Sequence, residues 1–207
     1  MDQAPLIAAI VLAAGSSTRF GVANKLLAEI DGKPLVIRVI DAIAAGGIDR
    51  IVVVTGHEAD RVAAVVAGHN CRTVFNEQYA QGMGTSVACG VSALDEMIDG
   101  ALIAQGDMPE VDATLIARLC QRFAEAGGNG LVYPVLDDGR QGNPVIWPRR
   151  LFTALGNLQG DKGAKGLINA EGTAAVRVAV AGMAAATDID TPEELAAYEA
   201  ARTSQPR

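Results

Sequence analysis

Apolar runs alternate with segments of helical period along most of the chain. Ile7–Leu12 is unbroken and rich in β-branched residues, the pattern of a strand buried on both faces. Pro34 then opens a helix to about Ala45, closed by Gly46-Gly47. Arg50–Thr55 repeats the strand pattern and Ala59–Val66 the helical one. Cys71–Phe75 reads as a third strand, Thr85 to about Met97 as a helix and Ala101–Ala104 as a fourth strand. Asp112–Ala126 and Leu131–Val135 add a helix and a fifth strand. This βαβ rhythm predicts an α/β fold: three αβα layers around a mostly parallel sheet with right-handed crossovers.

After Val135 the rhythm loosens. Asp137-Asp138-Gly139 predicts a turn, and Asn143–Trp147 a strand that Pro144 and Pro148 keep short. Short helices are expected near Arg149–Leu155 and Gly163–Asn169, a last strand over Ala175–Val180 and a final helix over Pro192–Arg202. The tail from Thr203 to Arg207 is expected to fray. No repeat, low-complexity tract or linker divides the 207 residues, so one domain is expected.

With half its residues apolar but only 4% aromatic, the core must be aliphatic. A net charge of −7 argues against a nucleic-acid partner, which calls for a basic stripe. Any anionic substrate must therefore be captured by a local cluster of cations. Cys71, Cys89 and Cys120 form no CxxC pair and are expected as buried free thiols in a reducing cytoplasm. With only His57 and His69 available, zinc is not expected. Leu6 to Ala14 lacks the positive flank of a signal peptide, and no apolar stretch is long enough to span a bilayer. A soluble, cytoplasmic protein is expected.

Chemistry-bearing residues gather at the ends of the predicted strands. The first strand empties into Leu12-Ala13-Ala14-Gly15-Ser16-Ser17-Thr18-Arg19-Phe20-Gly21, with Lys25 four residues on. Small side chains let a ligand approach the main chain, whose N–H groups can turn toward phosphate oxygens. Arg19 brings a planar fork and Lys25 a compact charge. The spacing is neither a P-loop nor a GxGxxG fingerprint; a loop with two solvated cations is the plainer reading. Strand four ends in Gly106-Asp107. If strands one and four are neighbours, Asp107 faces the Arg19 loop and suits Mg²⁺, a hard cation that prefers oxygen; capping a turn before Pro109 is its structural alternative.

Asp188-Ile189-Asp190 precedes Thr191-Pro192-Glu193-Glu194, a capping box that explains the later residues but not the two aspartates. One of the two is expected to face a metal and the other to secure the loop. Between strand three and its helix, Asn76 to Ser86 holds two glycines suited to close approach of a base or ribose, and Thr85 or Ser86 is expected to cap the helix. Arg140-Gln141-Gly142-Asn143-Pro144-Val145 and Gly160-Asp161-Lys162-Gly163-Ala164-Lys165 are either solvated loops or the acceptor side of a site. His57 is expected to be structural.

Together these segments resemble the MobA-like nucleotidyltransferases, of the glycosyltransferase-A-like (nucleotide-diphospho-sugar transferase-like) fold, over essentially the whole chain. The resemblance is carried by LAAG-x-S-x-R-x-G…K at Leu12–Lys25, by Gly106-Asp107 and by DIDTPE at Asp188–Glu193. Ala13-Ala14-Gly15, Gly142-Asn143-Pro144-Val145 and Gly160–Lys165 are most similar to the molybdenum cofactor cytidylyltransferase branch, with Lys165 where an Arg is usual. The resemblance implies transfer of CMP from CTP to the terminal phosphate of a molybdopterin-type cofactor, with release of pyrophosphate. Arg19, Lys25 and Asp107 are implied as catalytic. Leu12, Ala13, Ala14, Gly15, Gly82, Ser86 and Gly106 are implied around the nucleotide, in a part spanning about 1–110. Arg140, Asn143, Pro144, Lys162 and Lys165 are implied around the acceptor, in a part spanning about 111–190. Asp107, Asp188 and Asp190 are implied as ligands of Mg²⁺ or Mn²⁺. A molybdoenzyme or its chaperone would receive the product, and neither nucleic acid nor membrane is implied. GTP or a sugar or alcohol phosphate as substrate, and a non-catalytic cofactor-binding module, are the competing readings.

Overall fold

The computed structural model describes residues 4–17, 20, 24–160, 164–180 and 185–203. Seven strands form one sheet: β1 (Ile7–Ala13), β4 (Ile51–Thr55), β5 (Arg72–Phe75), β6 (Gly100–Gln105), β7 (Val132–Val135), β8 (Val145–Pro148) and β9 (Val176–Ala179). Their order is β5-β4-β1-β6-β8-β7-β9. β1 pairs in parallel with both β4 and β6, Val11 facing Val53 on one side and Ala104 on the other. The chain winds outward from β1 and then crosses to β6, so the strand order reverses between them, where open α/β sheets bind ligands.

Helices cover both faces. On one lie α1 (Leu35–Ala45), α2 (Ala59–Val66) and α4 (Ala113–Glu125), packed on Ala9, Val11, Val53 and Leu102. On the other, α3 (Met83–Ser92), α5 (Phe152–Gly156) and α6 (Lys165–Glu171) pack on Ile10, Val54, Ile103 and Trp147. The apolar stripe of α1, at Val36, Val39, Ile40 and Ile43, recurs at helical spacing and is buried. Asp112 caps α4 by accepting from Leu115 N at 2.7 Å. A third apolar cluster ties Phe20, Ile30, Leu35 and Ile189 to α7 (Pro192–Thr203).

β8 departs from the parallel rhythm. It is antiparallel to β6 and to β7, whereas β7 and β9 are parallel to each other. The start of β8 therefore lies at the edge where β1, β6, β7 and β9 end. Residues 14–17, 105–107, 136–144 and 185–190, distant in sequence, thus meet at one rim.

Several boundaries shift from the sequence reading. α3 starts two residues before Thr85 and stops at Ser92 rather than near Met97. A two-stranded hairpin, β2 (Glu29–Ile30) with β3 (Lys33–Pro34), precedes α1 and carries too few residues to show alternation. The three cysteines are free but partly exposed rather than buried. Residues 204–207, expected to fray, lie outside the described residues.

Candidate active site

The rim holds two adjoining cavities that share Leu12, Met83 and Gln105. The first, about 610 Å³, lies under the β1 loop. A Cβ built on Gly15 meets nothing within 4 Å, so the loop's main chain faces open space there. Ser17 holds a left-handed backbone at φ 50° without being glycine, a strain that persists where the surroundings enforce it. Lys25 N donates to Ser17 Oγ at 3.4 Å, and Asn24 Oδ1 accepts from Leu26 N, which starts a single 3₁₀ turn beneath the loop. This turn aims Lys25 into the cavity.

There the Lys25 ammonium lies between two carboxylates, 2.5 Å from Asp107 Oδ2 and 2.6 Å from Asp190 Oδ1. Gly106 N donates to the Leu12 carbonyl and Ile189 N to the Asp107 carbonyl, which pins all three chain segments together. Burial alone would lower the Lys25 pKa, but Asp107 and then Asp190 outweigh it and raise it. Burial also pushes the Asp107 carboxyl up; Lys25 opposes this and the Asp188 charge adds to it. Asp107 Oδ1 is buried without a hydrogen-bond partner. Asp107 therefore caps no turn. A buried, half-unpaired carboxylate with Asp188 and Asp190 lining the same cavity suits a hard divalent cation, which Mg²⁺-type sites hold by one or two carboxylates plus phosphate oxygens and water.

The later aspartates do not divide their roles as expected. Ile189 turns into the core, so its neighbours two apart share the opposite face and both line the cavity. Nor do Asp107, Asp188 and Asp190 form a ready cage: among the described residues no three His, Cys, Asp or Glu side chains converge for a metal. Lys25 takes the space between two of them. The capping box is formed, with Glu194 N donating to Thr191 Oγ1 and Glu194 Oε2 accepting from the Asp190 and Thr191 amides.

At the far wall Thr85 and Ser86 lie inside α3 rather than capping it. Asn76 Nδ2 donates to their hydroxyls at 2.9 and 3.0 Å, and Ser86 lines the cavity. Gly82 turns the chain into the helix at φ 115°, where any other residue is strained. Gly84 serves packing rather than a ligand: a Cβ there would meet the Gly160 carbonyl at 2.9 Å, and its own N–H donates to that oxygen.

The second cavity, about 640 Å³, is floored by Ile103, Val145, Trp147 and Tyr133 and walled by α6. Arg140, Lys165 and Arg177 supply three cations, and no carboxylate lines it among the described residues. Arg140 Nε is held 2.6 Å from Asp138 Oδ2, so part of its charge is already answered. Arg177 Nε donates to Tyr133 Oη at 3.1 Å.

Of the residues expected at the nucleotide, Leu12, Ala14, Gly15, Lys25, Gly82, Ser86 and Asp107 line the first cavity. Ala13 instead packs in the core, and Gly106 lies close against the Leu12 carbonyl and the Leu26 side chain; neither lines the cavity. Of the acceptor residues, Arg140, Asn143 and Lys165 line the second cavity, but Pro144 does not. Gly142 is there for contact, since a Cβ would meet Ala185 at 2.7 Å. Arg19 and Lys162 lie outside the described residues. His57 donates its backbone N–H to the Ala14 carbonyl, a structural role. Sequence reasoning missed Gln105, Tyr133, Trp147 and Arg177. Their only signal was a polar or aromatic residue in a strand pattern, which gains meaning once register brings the strands together.

The MobA-like NTP transferase domain model matches residues 9–176. The bifunctional protein GlmU of Bifidobacterium longum subsp. infantis is 39% identical over 140 residues, 64% of this chain but 30% of that protein. The chain thus spans less than a third of that relative's length. Nicotine blue oxidoreductase of Paenarthrobacter nicotinovorans is 27% identical over 195 residues, 92% of this chain and 95% of its own. Among solved structures, Rv0371c from Mycobacterium tuberculosis H37Rv superposes with a TM-score of 0.81 at 25% identity, covering 96% of this chain and all of its own. Rv0371c has also been solved in complex with manganese, with a TM-score of 0.75, 24% identity and coverage of 93% and 97%. Among the described residues no helix is long and apolar enough to cross a membrane. With four-fifths of its length matched, the chain belongs to the MobA-like NTP transferase domain family.

Proposed function

We propose that the chain transfers CMP from CTP to the terminal phosphate of a molybdopterin-type cofactor, releasing pyrophosphate. The observation that carries this reading is the meeting of two unlike cavities at Leu12, Met83 and Gln105. One holds a lysine–carboxylate cluster under a small-residue loop. The other sets Tyr133 and Trp147 beside Arg140, Lys165 and Arg177, in a chain of net charge −7.

An acceptor phosphate oxygen attacks the α-phosphorus, and the bond to the β-phosphate oxygen breaks with its electrons leaving on pyrophosphate. A phosphate monoester has its second pKa near 6, so it arrives ionised and needs no general base. The protein's task is to hold two anions together and to stabilise charge on the leaving group. Lys25 turns from its carboxylates toward the β- and γ-phosphates, Arg19 joins it, and the main chain at Ala14–Ser17 lines their path. Asp107 with Asp188 or Asp190 would hold Mg²⁺ or Mn²⁺, which would supply positive charge to neutralise the phosphates. Arg140, Asn143, Lys162 and Lys165 hold the acceptor, and the product passes to a molybdoenzyme or its chaperone.

The test is pyrophosphate release with CTP, GTP, ATP or UTP and a molybdopterin acceptor. Release with CTP and acceptor together supports the reading; release with GTP alone moves it to the neighbouring activity. A redox reading draws on one observation, the end-to-end likeness to nicotine blue oxidoreductase. Acceptor-independent reduction of nicotine blue by an added electron donor, without pyrophosphate release, would favour it.

A further inference from the structure

Lys25 occupies the place that a metal held by Asp107 and Asp190 would need. Its ammonium lies 2.5 Å from Asp107 Oδ2 and 2.6 Å from Asp190 Oδ1. A cation such as Mg²⁺ takes its oxygens at about 2.0–2.1 Å, so it cannot share those two atoms with an ammonium. The other Asp107 oxygen, Oδ1, is buried from solvent and has no hydrogen-bond partner. A cation arriving through the cavity therefore finds one oxygen of Asp107 taken and the other out of reach.

The hold is firm at the backbone and loose at the side chain. Asn24 starts the 3₁₀ turn Lys25–Leu27, and Lys25 N donates to Ser17 Oγ at 3.4 Å, which fixes where the side chain begins. Beyond that point runs a flexible four-carbon stem. Gly15, Ser16 and Ser17 line the same cavity as Asp107, Asp188 and Asp190. The ammonium can pass from the carboxylates to the loop by side-chain rotation alone, with the sheet unmoved.

Charge gives that passage a direction. Three aspartates against one lysine leave this part of the rim negative, which repels a free triphosphate and attracts a divalent cation. While Lys25 stays, the cation is denied Asp107. Once phosphates take Lys25, bare carboxylates face a bound anion, and a divalent cation between them relieves both. Each ligand then raises the affinity of the other, by the same factor in both directions.

We propose that Lys25 stands in for the divalent cation when no nucleotide is bound, locking Asp107 and Asp190 until a triphosphate draws it away, so that metal and nucleotide binding are coupled. The lock rests on the proposed transfer only in taking a triphosphate as the group that moves Lys25.

The first probe is Mn²⁺ alone, titrated into the full chain and followed by the electron paramagnetic resonance of the free ion. Lys25→Met, checked for its fold by circular dichroism, should bind it about tenfold or more tighter than wild type, the worth of at least one charge-assisted contact no longer in competition. The second measurement needs only a folded wild type: the ¹⁵N resonance of the Lys25 ammonium, identified by its disappearance in Lys25→Arg. Mg²⁺ alone should leave it in place, whereas CTP, GTP or inorganic triphosphate in EDTA should shift it. Equal Mn²⁺ affinities in wild type and folded Lys25→Met, a resonance that moves with Mg²⁺ alone, or one that no triphosphate moves overturns the proposal. A working lock in a chain that releases no pyrophosphate would instead keep the proposal and reject the transferase reading.

Discussion

Asp107→Asn separates what the ion cluster does for folding from what it does for chemistry. The substitution keeps side-chain volume and removes one charge. Lys25 loses a partner at 2.5 Å but keeps Asp190 at 2.6 Å, so the cluster passes from two carboxylates per ammonium to one. The Asp107 carboxyl is buried, has one oxygen unpaired and has a pKa raised above its ordinary 3.8, first by burial and with Lys25 opposing. A raised folded pKa stabilises below the unfolded value and loses that contribution as pH rises through the folded one. At neutral pH the ionised Asp107 therefore costs stability, and the variant's stability relative to wild type should grow as pH rises from about 4 toward 7. Neutralising such a group is worth about 1 kcal/mol either way at most, or roughly 2–4 °C in Tm for a chain of this size. Catalysis should fall by about 10²–10³, the range for losing one preorganised electrostatic contact. Thermal melting and pyrophosphate release on one preparation decide between the effects. A variant that melts about 10 °C lower would make Asp107 a structural anchor, and one that turns over at wild-type rate would remove it from the chemistry.

Lys25→Met should destabilise more than Asp107→Asn, by about 3 kcal/mol, because it strands two largely buried carboxylates; equilibrium denaturation of both variants checks the order. Gly15→Val should leave Tm nearly unchanged but weaken CTP binding in calorimetry, since its side chain enters open cavity; Ala13→Leu should instead cost about 1–3 kcal/mol by overpacking the core. Cys120, whose thiol burial pushes to about 11, should resist iodoacetamide at pH 8 in the native protein and react on unfolding, as mass spectrometry would show.

The layers of the fold were legible because β1, β4 and β6 are buried on both faces, and a parallel strand so placed reads as a continuous apolar run. The β2–β3 hairpin was not, since two-residue strands carry no period. The start of α3 was misread because Thr85 and Ser86 are good capping residues; here their hydroxyls answer Asn76 while Gly82 makes the turn. In the site, Lys25 and Asp107 were visible as charged residues beside strand ends. That Asp190 pairs with Lys25 was not, for it depends on Ile189 burying itself and turning both neighbours toward the cavity. Glycines were ambiguous for a physical reason: Gly15 opens onto the cavity, while a Cβ on Gly84 or Gly142 would meet a backbone oxygen at 2.9 or 2.7 Å. Sequence cannot tell these uses apart. Arg177 became informative only through its register with Tyr133 across two strands distant in sequence.

The most direct test of the central claim is the nucleotide and acceptor dependence of pyrophosphate release by the purified chain with Mg²⁺ or Mn²⁺. Release should require CTP and a molybdopterin-type phosphate together, yield a CMP-linked product and be lost in Asp107→Asn. Release independent of the acceptor, a preference for GTP, or no release while CTP still binds would contradict the claim.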